Sequence, residues 1–285
     1  MITGAKLDHV ALAAERKETL WERYAGDLGG EWAQGGIDPG FFWSQFSYAN
    51  GMRVEVLEPH NVSVNDFLRR FLDRNGPGAH HLTYKVGDID AAIDAATAAG
   101  YPPVGVNLAH EWWKEAFLHP KNVPGIVVQL AYSPEGVDDG DSEDDEEWSA
   151  PRPADLPPVR VPEPASLVRV VHAVADLDEG IRLWVDLLGG EHTGEGGDTD
   201  ATWVDLSWPG PGRLRLMTPR SRDTVLAAWL GDKSGRLHHL AFTVEEPGSI
   251  KGARPRSDRD GVVELAADDN SGVKLVISED AAALE

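Results

Sequence analysis

The chain has 285 residues, 41% hydrophobic and 26% charged, enough apolar material for one large domain or two ordinary ones and too much for a disordered polypeptide. Lys and Arg total 26 against 48 Asp and Glu, a net charge of −22, so nucleic acid and anionic membrane surfaces are repelled and excluded as expected partners. There is no cysteine, which removes disulfide frameworks, thiolate metal sites and cysteine nucleophiles; no apolar run approaches the ~18 residues of a membrane span and MITGAKLDHV lacks a long apolar stretch, so a soluble cytoplasmic protein is expected.

In chain order, KLDHVALA reads as a strand. ERKETLWERYAGDLGG reads as a helix, with Leu20, Tyr24 and Leu28 on one face and Gly29–Gly30 as its stop. FFWSQFSYANGMRVEVLEP gives two strands joined at an Asn50–Gly51 turn. Arg69, Arg70 and Arg74 fall on a further helix. HHLTYKV is again a strand, Asp88 caps the helix DIDAAIDAATAAG, and EAFLHPKNVPGIVVQLAY closes as a hairpin. The unit is strand, helix, then several strands, used twice.

The run EGVDDGDSEDDEE carries nine acids and no base, and APRPADLPPVRVPEPAS follows it. Like charges and proline together predict a mobile, solvated linker over about 134–165, between globular parts at 1–133 and 166–285. The two parts repeat each other. LGGE recurs at an offset of 160, HHL at 158, and VEVLEP aligns with LRLMTP at 160. Three anchors in one order predict a duplicated α+β domain.

Four positions carry the chemistry: His9, Glu55, His81 and Gln129. The histidines sit at matching places in the opening strands of the two units, and Glu55 and Gln129 sit in their closing strands, within the apolar contexts VEVL and VVQL. A polar group in such a strand must meet water, a partner or a metal. Two imidazoles, a carboxylate and an amide oxygen make a divalent-metal set with positions left open, suited to Co, Mn, Ni, Zn or Fe alike.

DHVAL, the helix ending in LGGE, VEVLEP, GPGAHHLTYKVGDIDAAI and AFLHPKNVPGIVVQL resemble the vicinal oxygen chelate superfamily (glyoxalase, bleomycin resistance protein, extradiol dioxygenase), and within it, over about 1–133, the methylmalonyl-CoA epimerases. The resemblance implies two tandem domains of paired βαβββ units curling around a cleft, with one divalent metal ion held at the four positions. It also implies a small oxygenated substrate, an acyl-CoA among the candidates, whose enolate the metal stabilises. In the epimerase pattern Gln closes the first unit and Glu the second; here Glu55 and Gln129 are exchanged. An amide cannot take a proton at neutral pH, so the catalytic base is expected at Glu55. Trp43, Gln45 and Lys114 are candidate substrate contacts. Coenzyme A phosphates would have Arg69, Arg70 and Arg74 available, although helix-surface ion pairs explain those arginines as well.

In the second part the aligned positions are Arg169, Arg215, His239 and Val276, which cannot hold a divalent cation. EEPGSIKGARPRSDRDG is too rich in Gly and Pro for a helix of the first copy's length. The second domain is therefore expected to keep the fold and lack the metal, with Arg169 and Arg215 paired to an acid such as Asp205. Extradiol-type dioxygenase, glyoxalase I-like lyase and metal-free small-molecule binder remain as alternative functions. Oligomeric state is open, a homodimer included.

Overall fold

The structure is a computed structural model that describes residues 1–134 and 151–284; the acidic run at 135–147 lies outside the described residues. Among these, two eight-stranded sheets follow the two halves of the chain. The first sheet contains β1 (Lys6–Ala13), β2 (Glu31–Asp38), β3 (Phe41–Ser47), β4 (Arg53–Pro59), β5 (Gly78–Lys85), β6 (Val104–Asn107), β7 (Lys114–Leu118) and β8 (Val127–Tyr132). Its order is β2-β3-β4-β1-β5-β8-β7-β6. The second contains β9 (Ser166–Val174), β10 (Glu191–Gly197), β11 (Ala201–Ser207), β12 (Arg213–Pro219), β13 (Gly235–Thr243), β14 (Arg254–Pro255), β15 (Val262–Leu265) and β16 (Leu275–Ser278). Its order, β10-β11-β12-β9-β13-β16-β15-β14, repeats the first strand for strand.

Each unit opens and closes with parallel strands, β1 with β4 and β5 with β8, while the outer strands pair antiparallel. Parallel central strands are covered on both faces, so they read as apolar runs. Val10, Ala11, Leu12 and Ala13 are all inaccessible to solvent. A polar residue in such a strand is conspicuous, and His9 is one.

The helix expected over 15–30 is α1 (Lys17–Trp21), which continues as a π-helix over Glu22–Asp27. Leu20, Tyr24 and Leu28 are its buried face. Gly29 takes φ +67°, and the Gly30 N–H donates to the Tyr24 carbonyl at 2.9 Å; a Cβ on Gly30 would lie 2.5 Å from that oxygen. The second copy does the same. α4 (Leu177–Ile181) passes into a π-helix over Arg182–Leu187, Gly189 takes φ +68°, and Gly190 donates to the Trp184 carbonyl at 2.8 Å. The repeated LGGE therefore marks a left-handed residue followed by a close backbone approach.

α2 (Phe67–Asn75) carries the three arginines, and α3 (Ile89–Ala98) is capped by Asp88, whose carboxylate accepts from the Ala91 N–H at 3.0 Å. α5 is Val225–Leu230. Where α3 would recur, the second half has a single 3-10 turn at Pro247–Ser249, as its Gly and Pro content predicts. β2, β6 and β10 are the strands that the paired βαβββ pattern implies but that their own residues do not mark.

Residues 157–165 correct the expectation of a solvated linker. The Arg160 and Ala165 N–H groups donate to the carbonyls of Gly26 and Leu28, each at 2.9 Å. The Arg160 guanidinium bonds Asp27 at 2.8 Å and the Glu22 carboxylate, and Val161 and Ala165 are buried. This part of the Pro-rich segment is docked rather than free.

Sheets follow the chain halves, but tight packing recombines them. One compact unit centres on β5–β8 and β9–β12, the other on β1–β4 and β13–β16. In the second of these, Asn270 donates to the Tyr24 hydroxyl at 3.2 Å, and Phe242 packs its ring against those of Tyr24 and Tyr48. No helix among the described residues is long and apolar enough to cross a membrane.

Candidate metal centre

The strand register places the four polar residues by one rule. In β1 and β4, His9 lies opposite Arg53, and Glu55 lies opposite Ala11, two residues further along. In β5 and β8, His81 lies opposite Val127, and Gln129 lies opposite Thr83, again two residues on. Residues two apart in a strand share a face, so each histidine and its partner project on one side of the sheet. All four are buried, His9 the most deeply at 1% exposure.

His9, Glu55 and His81 converge: one ligand atom from each lies within 4.8 Å of the others. Two imidazoles and a carboxylate at that separation could hold a metal ion, and the donor types suit a divalent one. The Glu55 Oε2 is 3.7 Å from His9 Nε2. On its other side, Oε1 accepts from the Gln45 side-chain amide at 3.4 Å, and Gln45 Oε1 accepts from Gln34 at 3.0 Å. Gln129 is engaged at both ends of its amide. Its Oε1 accepts from the Thr83 hydroxyl at 2.6 Å, and its Nε2 donates to Glu115 at 2.7 Å. The same Glu115 oxygen accepts from the Trp113 indole at 3.0 Å.

Glu115, the partner of Gln129, is a residue that sequence reasoning did not single out. Phe117 pairs with Gln129, so Glu115, two residues away, shares its face. Lys114 then lies on the opposite face, away from the candidate centre, with its ammonium 5.8 Å from the Tyr132 ring centroid. Gln45 pairs with Glu55 and Trp43 with Leu57, so both share the Glu55 face. Trp43 packs there against Ala11, Ala13, Leu57, Leu68 and Leu72, the last two from α2.

Of the remaining polar candidates, His80, His119, Arg69 and Arg70 have structural partners. His80 sets its ring against Phe67 and Phe71, with centroids 5.7 and 4.8 Å away. His119 Nδ1 accepts from the Lys121 N–H at 3.1 Å. Arg69 grips Glu15 through two bonds of 2.6 and 2.7 Å, and Arg70 pairs with Asp66 at 2.8 Å. These pairs lie on or beside the α2 surface.

In the second sheet the same register holds different chemistry. Arg215 lies opposite Val171, two residues past Arg169, and Val276 lies opposite Ala241, two past His239. Asp205 stands opposite Arg215, where Gln45 stands opposite Glu55 in the first sheet. The expected pairing of the arginines with Asp205 is present: Arg215 binds it through both carboxylate oxygens at 2.7 Å, and Arg169 approaches to 3.7 Å. Among the described residues, His9, Glu55 and His81 are the one group of three or more His or acidic side chains so arranged.

Two sheets of repeated βαβββ units, with a histidine and carboxylate cluster on one of them, define a vicinal oxygen chelate fold. The chain belongs to the glyoxalase/bleomycin resistance protein/dioxygenase superfamily, whose family profile matches residues 8–117. It is 30% identical over 130 residues to the ethylmalonyl-CoA/methylmalonyl-CoA epimerase of Cereibacter sphaeroides, an alignment covering 44% of this chain and 96% of that protein. Among solved structures, a mutant of 4-hydroxymandelate synthase from Streptomyces coelicolor superposes over 99% of this chain and 94% of its own, with a TM-score of 0.63 at 12% identity. A protein of undescribed function from Staphylococcus aureus covers 96% of this chain and 99% of its own, with a TM-score of 0.59 at 11% identity. The two structures share the fold over both halves of the chain.

Proposed function

We propose that the chain is a divalent-metal-dependent, epimerase- or isomerase-like enzyme acting on a small oxygenated substrate of the acyl-CoA class. The observation that carries this reading is the convergence of His9, Glu55 and His81 within 4.8 Å. The 30% identity to an acyl-CoA epimerase supports it. His9, Glu55, His81 and Gln129 would hold the ion, which when bound would polarise a substrate carbonyl and stabilise negative charge on its oxygen. Glu55 is the carboxylate of the four, and it would take up the proton α to that carbonyl. Gln45, which donates to its Oε1, would steady the ionised carboxylate. Trp43 would bound the substrate space on the same face, and Lys114 takes no part in the proposal. The second domain, over 166–285, would carry no metal.

The test is metal analysis of the purified protein together with wash-in of solvent deuterium at the α-carbon of methylmalonyl-CoA and ethylmalonyl-CoA. The expected result is one divalent ion per chain and exchange that is lost on chelation. Protein that takes no divalent ion after dialysis against Co, Mn, Ni, Zn and Fe salts would point to a metal-free binder and overturn the proposal.

One observation favours a second reading. Two histidines and one carboxylate are also the donor set of oxygen-activating iron sites. Oxygen uptake by the iron-loaded protein with catechols, and no deuterium wash-in, would select an extradiol-type reaction.

A further inference from the structure

We propose that Glu115 is a positioning residue that fixes Gln129 as an oxygen donor. The inference rests on the metal reading above and extends it to a residue outside the four ligands.

A glutamine can serve a cation only through its amide oxygen, because its NH2 group donates and cannot ligate. Which end faces the site must therefore be set by the neighbours. Thr83 does not set it, because a hydroxyl both donates and accepts and satisfies either orientation. Glu115 does: a carboxylate accepts only, so the partner 2.7 Å from it must be Gln129 Nε2. The sheet order β5-β8-β7 then puts Nε2 on the β7 side and Oε1 on the β5 side, the strand that carries His81. Trp113 holds Glu115 in turn, through its 3.0 Å bond to the same oxygen.

The first unit has the complementary arrangement. Glu55 lies on β4 between β1 and β3. Its Oε2 faces His9 on β1, and its Oε1 accepts from Gln45 on β3. The acceptor-only ligand is held by an amide donor, and the amide ligand is held by an acceptor-only carboxylate. The outer partner in each unit thus complements its ligand, and each unit turns one oxygen toward its histidine strand. Groups of this kind orient ligands and tune metal affinity.

The experiment titrates Co2+ into the metal-stripped full-length chain, by calorimetry and by the visible Co2+ spectrum. Glu115→Ala is expected to weaken Co2+ binding by about 10- to 100-fold and to shift the spectrum, as loss of a ligand-orienting partner does. Glu115→Gln keeps an acceptor oxygen and is expected to restore most of the affinity. In a Gln129→Ala background, Glu115→Ala should change Co2+ affinity no further. Wild-type affinity in Glu115→Ala, or an equal loss with and without Gln129, overturns the inference while leaving the metal reading intact. Wild-type chain that takes up no Co2+ overturns both. Should Glu115→Ala fail to fold by circular dichroism, Glu115→Gln and Gln129→Ala decide: Co2+ affinity in Gln129→Ala equal to wild type also overturns the inference.

Discussion

Arg215 holds Asp205 through two bonds of 2.7 Å at the register positions that Glu55 and Gln45 occupy in the first sheet. A guanidinium is permanently charged and donates only, so the second sheet carries a fixed side-chain cation where the first carries the carboxylate Glu55. The pair is largely screened from solvent, with side-chain exposures of 12% for Arg215 and 18% for Asp205. Arg215→Ala is expected to leave metal content at one ion per chain and to lower unfolding free energy by about 2 kcal/mol, because Asp205 loses its main partner. Elemental analysis and urea denaturation check the two halves of this expectation; two ions per wild-type chain would contradict it.

Glu55→Gln removes the carboxylate and keeps the shape. Deuterium wash-in at the substrate α-carbon should fall by about 10²- to 10⁴-fold, the usual contribution of a positioned base. Metal content measured in parallel separates loss of the base from loss of the ion. An unchanged exchange rate in a metal-loaded variant rules Glu55 out as the base.

His172 gives the fold an acid-sensitive point away from the candidate centre. Complete burial pushes its imidazole down from 6.5 to about 4, against a smaller opposing effect from its 2.7 Å contact with the Pro124 carbonyl. Above pH 6.5 the ring is neutral in both folded and unfolded chains, and its contribution is fully present. As pH falls from 6.5 toward 4, the unfolded chain binds a proton that the native one refuses, and stability drops by roughly 3 kcal/mol in all. Denaturation midpoints measured across that range should decline in the wild type. The slope should be shallower in His172→Phe.

Gly30 and Gly190 are predicted to tolerate no side chain. A Cβ would come within 2.5 Å of the Tyr24 carbonyl in one and 2.7 Å of the Trp184 carbonyl in the other. Gly30→Ala and Gly190→Ala should each cost about 2 kcal/mol, through a shift of backbone that nothing flexible can absorb. Thermal melts read the effect. A pair of variants as stable as the parent would show that the π-helical ends give way more easily than their hydrogen bonds imply.

Local signals were legible wherever the chemistry is local. Asp88 precedes its helix and caps it, Asn50–Gly51 sits in its turn with Gly51 at φ +85°, and three of the four polar residues singled out in apolar strands, His9, Glu55 and His81, lie close together. The Gly-rich β2 and β10, EWAQGGID and EHTGEGG, lack the alternation that marks a strand and are held by pairing with β3 and β11. Glu115 was missed because its bond to Gln129 exists only after β7 and β8 set their register. Lys114, its neighbour, was put forward instead, and the alternation of the strand turns it the other way. The docked prolines were missed for a similar reason: Arg160 meets Asp27 across 133 residues of chain, and composition carries no trace of that meeting.

Because each compact unit draws its strands from both copies, neither copy owns a complete interior. Deleting the second half would strip β1–β4 of the Phe242 and Asn270 contacts that support Tyr24 and Tyr48, so the first copy's core depends on the second. The second copy can thus carry different side chains on its face, as it does at Arg169 and Arg215, while its strands keep the order that its sibling's core requires.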